Sequence, residues 1–427
     1  MLRVAKLAKG GHAYYFAVTP GTGTGVEAAG RWVGRGPHAF GLRGPVTEAA
    51  LGAALAGDHP VSLARLGPSH DRVVVGGFDL TFCAPKSVSL LHALGAPEVS
   101  AAVREAHERA VDAAVDYVER HALAVRRPDG GVIVPQAAHA VAGACFVHRV
   151  SRALDPHLHS HVVVPNLGRD RAGTFSALDG RGVYAHRSTV DALYHVQLRH
   201  ELTTRLGLSF EPARNGRADV AGIGVEARRV FSQRAVTIAE HLAARGLGGS
   251  RARDIAGHAT RPRRDLRRSP DDLRGRWEER ARAVGLSARR LSEVVDRVPR
   301  RAGPGPEELA PDGVAAALAG RSTAARRDVV RAWCHALPAG APAAAVERVA
   351  DRLLDTMTPS PEHRARAERP GVGEPRYDVA ERTVRRADIG RGGAVLARLL
   401  AARGMEAPVH APQRGRAAGD DLGLGLG

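Results

Sequence analysis

Lysine is nearly missing from this chain of 427 residues: Lys6, Lys9 and Lys86 are all there are, so the rest of its 62 basic residues are arginine. Cysteine is as sparse. Cys83, Cys145 and Cys334 lie far apart with no CxxC pair, which excludes a disulfide framework or a zinc ribbon and fits a reducing, cytoplasmic setting. No run approaches the roughly 18 apolar residues of a membrane span, and the N-terminal MLRVAKLAKGGHAYYF lacks the apolar centre of a signal peptide. No membrane insertion is expected. No GxxxxGK(S/T) motif occurs and no lysine follows Lys86, so neither ATPase nor helicase activity is expected of this sequence. Tyrosine is scarce, six in all, which makes any clustering of it informative.

Positive charge, by contrast, is abundant. Against 45 Asp and Glu it leaves a formal +17 and a sequence pI near 11.0, the balance of a chain with a polyanionic partner, although a GC-rich coding bias toward arginine also feeds the count. The length suits two or three packed units, and composition divides the chain into four parts. Residues 1–215 alternate strand-like runs (VVVGGFDLTF at 73–82, GACFVHRVS, LHSHVVVPN) with an amphipathic stretch from Val99 to His121, which predicts an α+β or α/β core. Residues 216–301 turn helical and arginine-dense, with 16 Arg against 8 acids between 251 and 301, and read as solvated helical faces. A further helical block spans 303–358, and 359–427 is a Pro/Gly/Arg-rich tail of low order.

The most informative segment is FVHRVSRALDPHLHSHVVVPN at 146–166. Asp155-Pro156 reads as a turn between two apolar strands, with Pro fixing φ and Asp closing a local Asx-turn. His159 and His161, two apart, leave the same strand face, and His148 on the opposing arm can be brought beside them. Three neutral imidazoles form a divalent-metal site with open positions for a phosphate oxygen and water. His157 shares their phase but sits beside the turn, which makes it a substitute ligand at best. Tyr14-Tyr15 is a second feature: a phenolic oxygen can attack a phosphodiester from which a metal has withdrawn charge. Asp79, mid-strand in GGFDLTFCAPKSVSLLHAL, needs a partner, and carboxylates commonly orient metal-bound imidazoles. Pro85-Lys86-Ser87 opens a helix, where Lys86 and unpaired N–H groups could grip a phosphate.

The Tyr14-Tyr15 pair, FDLTFCAPKSVSLL and HRVSRALDPHLHSHVVVPN, in this order and spacing, closely resemble the conjugative relaxases of the TraI/TrwC (MobF) group of HUH endonucleases. The likeness covers residues 1 to about 300, and the block ARRDVVRAWCHALPAGAPAAAVERVADRLL resembles the linker before the helicase half of long members. The resemblance implies an α+β fold, a palm-like antiparallel sheet flanked by helices with a C-terminal helical extension. It further implies nicking and religation of single-stranded DNA at a transfer origin through a 5′-phosphotyrosyl intermediate.

In the roles so implied, Tyr14 is the nucleophile, Tyr15 a neighbour or second-step nucleophile, and Asp79 the supporting carboxylate. His148, His159 and His161 are the ligands of Mg²⁺ or Mn²⁺, with Zn²⁺, Ni²⁺ or Co²⁺ acceptable on ligand type. Lys86 and Arg152 are DNA-phosphate contacts. Relaxosome accessory proteins and a type IV secretion coupling protein are the implied partners. Cys83 stands where members often have Ser, and no second tyrosine pair follows Tyr15. The chain reads as a relaxase-only protein or one truncated before a helicase half. A rolling-circle replication initiator and a non-catalytic origin-binding protein are the alternatives; the helical extension disfavours the first and the intact Tyr, Asp and His set the second.

Overall fold

A computed structural model describes residues 2–17, 27–66, 74–129, 131–138, 142–262, 270–295, 323–356 and 383–385, with residues 306, 314 and 318. At its centre five strands lie side by side in the order β1 (Arg3–Ala8), β3 (Val75–Cys83), β7 (Pro156–Pro165), β6 (Gly143–Val150) and β2 (Arg31–Val33). Every neighbouring pair is antiparallel, which makes the fold α+β rather than α/β. Two further hairpins, β4 (Ala124–Asp129) with β5 (Val132–Ala137) and β8 (Gly168–Arg169) with β9 (Phe175–Ser176), stand outside this sheet.

Strand side chains alternate between faces, and here the two faces do different work. Phe78, Leu80, Phe82, Cys145, Leu158 and Val162 point to one side and are almost wholly buried in the main core. That side is covered by helices α4 (Lys86–Leu94), α5 (Pro97–His121) and α6 (Gly180–Leu206). The other side carries Ala144, Phe146 and Val163, which pack in a separate cluster with Tyr15 and Phe16 of the short α1 (Ala13–Phe16) and Leu51 and Leu55 of α3 (Glu48–Ala56). A small helix, α2 (Gly36–Ala39), follows β2.

Helix α5 starts two residues earlier than the amphipathic pattern predicts, because Pro97 occupies its first turn with Glu98 beside it. Arg120 and His121 close the last turn, where cations offset the negative end of the helix dipole. Val103, Ala106, Ala110, Ala114 and Tyr117 recur at helical period and are fully buried.

The arginine-dense region folds into α7 (Val225–Val230), α8 (Gln233–Ala243), α9 (Ser250–Ala259), α10 (Pro270–Ala283) and α11 (Ala288–Val295). These helices are more than solvated faces: Phe231, Leu273, Trp277 and Leu291 join the main core. Beyond them, helices Arg326–Ala336 and Ala343–Thr356 pack on α6, with Trp333 and Leu353 fully buried. Arg199 of α6, 2 % exposed, donates to the carbonyls of Gly216, Cys334 and Leu337, the last two at the end of the first of these helices. A guanidinium there satisfies carbonyls that the helix leaves open. Burial pushes its pKa down to about 10. The tail from 359 lies outside the described residues, apart from strand Thr383–Arg385 paired with Thr323–Ala325. Among the described residues no helix is long and apolar enough to cross a membrane.

Leu80, 1 % exposed on β3, tests the core. Leu80→Ala should lower unfolding free energy by about 2–5 kcal/mol, read from the urea midpoint at unchanged slope. Val61→Ala, at a position 59 % exposed, should stay within about 0.5 kcal/mol of the parent.

Candidate active site

The face that lacks the main core holds the chemistry. The register sets His148 of β6 directly across from His159 of β7, while on β3 Thr81 lies across from His161 and Asp79 across from Val163. Alternation turns Asp79, Thr81, His148, His159 and His161 to the same side as α1. One ligand nitrogen from each of His148, His159 and His161 lies within 4.8 Å of the other two. Among the described residues this is the one such cluster, and it does not include His157.

The turn joining the two strands differs from the Asx-turn predicted at Asp155-Pro156. Ser151 closes it, its Oγ accepting from the N–H groups of Ala153 (3.2 Å) and Asp155 (3.1 Å), and Leu154 takes a left-handed φ of +61°. Asp155 points inward, 1 % exposed, and Pro156 already belongs to β7. A five-residue connection needs a hydroxyl at its first position more than an acid at its last, and the acid is taken by partners distant in sequence.

Hydrogen bonds fix the imidazoles. The Nδ1 of His161 lies 2.9 and 3.0 Å from the two Asp79 carboxylate oxygens, and the Nδ1 of His159 lies 2.8 Å from the His157 carbonyl. Both partners only accept, so Nδ1 carries the proton and the neutral ring keeps its lone pair on Nε2. Burial, followed by the neighbouring His157, holds the His159 pKa well below the usual histidine range. His157 stacks on His159 with centroids 4.6 Å apart, and burial brings its own pKa to about 3. This donor set fits a divalent cation: three imidazoles, one backed by a carboxylate. Thr81, which the sequence did not single out, donates to Asp79 at 3.3 Å and lies 3.3 Å from His161 Nδ1. Its position two residues from Asp79 on the same strand face was the available signal.

The adjacent tyrosines part company. Tyr15 is 2 % exposed, stacks on Phe146 at 5.0 Å and 18°, and donates its hydroxyl to Asp79 at 2.9 Å. Burial and then the charge of Asp79 raise its pKa far above the usual phenol value. The Tyr15 oxygen thus meets Asp79 and its ring the core, beside the tyrosine expected as the nucleophile. Tyr14, half-buried, sits edge-on to His148 and His161, both centroids 6.3 Å away, and lies under the Arg152 guanidinium at 5.7 Å.

Tyr14, His159 and His161 open into a cavity of about 780 Å³ whose far wall is made by α8 and α9. Arg3, Arg152, Arg234, Arg253 and Arg261 also line it. The sequence singled out Arg152 alone among them, because helical period cannot say which face of an arginine-rich helix meets another element. Arg234 and Arg261 are held below the usual arginine range, first by burial and then by the charge of Arg152. Lys86 lines the cavity too, yet its ammonium donates to the Pro156 carbonyl at 2.6 Å, and burial lowers its pKa to about 8. The N–H of Ser87, predicted to be available to a phosphate, is held by Asp219 at 3.1 Å. Lys86 therefore secures the start of β7.

The family model described as TrwC relaxase matches residues 4–284. The multifunctional conjugation protein TraI of Escherichia coli (strain K12) is 31 % identical over 281 residues, which is 62 % of this chain and 15 % of that relative. This chain thus spans a small part of the relative's length. The conjugative relaxase TrwC in complex with OriT DNA, in its metal-free structure, aligns at a TM-score of 0.60 and 28 % identity over 67 % of this chain and 100 % of that one. The metal-bound structure of the same complex aligns at 0.60 and 28 %, over the same shares. The sheet with its flanking helices and a family match over well more than half its residues lead to one conclusion: the chain belongs to the TrwC relaxase family.

Proposed function

We propose that this chain nicks and rejoins one strand of DNA at a transfer origin, with Tyr14 as nucleophile. The observation that carries the reading is the placement of a half-buried tyrosine at the mouth of a basic cavity beside three convergent imidazoles. TrwC structures bound to OriT DNA, metal-free and metal-bound, support the substrate and the cation.

Tyr14 gives up its phenolic proton as Oη attacks the scissile phosphorus, the bond to the 3′ oxygen breaks and that oxygen takes up a proton to leave as a free 3′-hydroxyl, and the new 5′-phosphotyrosyl bond keeps the energy for religation. A divalent ion held by His148, His159 and His161 would draw charge from the phosphate; family resemblance favours Mg²⁺ or Mn²⁺, while on ligand type three imidazoles accept Zn²⁺, Ni²⁺ or Co²⁺ as readily. Asp79 holds the His161 ring and fixes its tautomer. Tyr15, by donating to the same Asp79 oxygen that His161 meets, helps to position that carboxylate. Arg152, stacked over Tyr14, places a fixed positive charge where the strand's phosphate must lie.

Single-stranded oligonucleotides tiling the transfer region of the chain's own replicon, incubated with protein and Mn²⁺, should give a covalent protein–DNA band. Blunt duplex and chelator-treated samples should give none. Tyr14→Phe should fold, bind the oligonucleotide within about twofold of the parent, and form no adduct. An adduct from Tyr14→Phe would contradict the nucleophile, and its absence from wild type with every oligonucleotide and metal would leave a DNA-binding protein.

Calorimetry with Mn²⁺ checks the ligand set. His148→Ala, His159→Ala and His161→Ala should each weaken binding by more than the roughly 10–100-fold typical of losing a supporting hydrogen bond. His157→Ala should change it several-fold at most. Unchanged affinity in His161→Ala would overturn the triad.

A further inference from the structure

The turn that carries Arg152 is built around a carboxylate that the strand-transfer chemistry does not use. Asp155 accepts from the backbone N–H of Gln233, the first residue of α8, at 2.9 Å, and from Arg280 of α10 at 3.0 Å. Trp277, one turn earlier on α10, donates its indole N–H to the carbonyl of Leu154 at 2.8 Å. Leu154 is the residue at φ +61°, a conformation uncommon for a side chain of that size and held here from both sides. Arg280 also donates to the Val230 carbonyl at 2.7 Å and lies 4.5 Å over the ring of Phe231. One helix therefore grips both the β6–β7 turn and the junction between α7 and α8.

Those two segments are the two walls of the cavity. The turn carries Arg152 beside Tyr14. From the junction, α8 runs directly into Arg234, whose guanidinium donates to the carbonyls of Gly257 and Thr260 at the end of α9. Helix α9 and the residues after it bring Arg253 and Arg261 to the cavity. The two walls are linked through Asp155, through Trp277 on the Leu154 carbonyl and through Arg152, whose guanidinium donates to the Pro262 carbonyl at 3.4 Å; of these links Asp155 is the buried charge.

We infer that Asp155 is a positioning residue: through Gln233 and Arg280 it sets the gap between the β6–β7 turn and α8–α9, so that one DNA phosphate chain meets Arg152 and Arg261 together. A buried ion pair adds little net stability, since desolvation offsets its attraction. Its geometry is what it contributes. The inference rests on the proposed single-strand substrate.

A double-mutant cycle tests it, read as single-strand affinity by fluorescence anisotropy at fixed salt, with a chelator present so that no cleavage intervenes. Asp155→Asn and Arg261→Met should each weaken binding about tenfold, and the double variant should be little weaker than either alone, because Arg261 is already misplaced when Asp155 is gone. Mn²⁺ affinity of Asp155→Asn, measured separately, should stay within about twofold of wild type, since the histidines are held by the strand pairing. If Asp155→Asn does not fold, Arg280→Lys keeps the charge but shortens the arm whose single nitrogen reaches both Asp155 and Val230, and enters the same cycle with a smaller expected loss. Losses that multiply, wild-type affinity in Asp155→Asn, or a parallel fall in Mn²⁺ affinity would overturn the inference. Wild-type protein that fails to bind single strands would sink the proposed function itself, and this inference with it.

Discussion

The pairing register of β6, β7 and β3 is the constraint on which everything else in this molecule rests. A strand has a period of two, so a slip by one residue would send His159 and His161 into the helix-covered core and bring Leu158, Ser160 and Val162 to the open face. The fold resists that slip from behind. Leu158 and Val162 are fully buried against the main helices, and Ser160 bonds His107 of α5, which in turn bonds Tyr194 of α6. The site is therefore specified by its apolar neighbours as firmly as by its own residues.

Asp79 is where the register becomes chemistry. A carboxylate on a largely buried strand is costly unless satisfied, and this one is satisfied three ways, by Tyr15, Thr81 and His161. Each contact fixes the partner as much as the acid. The same arrangement divides labour between two residues that look alike in sequence: Tyr15 holds the acid, and Tyr14 is left facing the cavity.

Much of this was legible in the sequence, and the gaps have physical reasons. Alternation in HLHSHVVVP and in GGFDLTF reveals both strands and the face they share, because periodicity is local. Of Asp79's partners Thr81 is local, but Tyr15 and His161 are not, and neither is the difference between Tyr14 and Tyr15, which depends on Phe146, well over a hundred residues away. Lys86 sits at a helix start that looks ready for a phosphate, yet Asp219 and the Pro156 carbonyl occupy those groups. The arginine-rich helices hide their partners in the same way. Composition marks them as charged, and only packing shows that Arg253 and Arg261 face the cavity while Arg280 binds a buried acid.

The central claim is that the oxygen of Tyr14 carries the DNA. It is tested most directly by digesting the covalent complex with a protease and nuclease and sequencing the nucleotide-bearing peptide by tandem mass spectrometry. The account predicts the nucleotide mass on Tyr14 within the peptide that holds both tyrosines, and an unmodified Tyr15. A nucleotide mass on Tyr15, or on any residue outside α1, would contradict it.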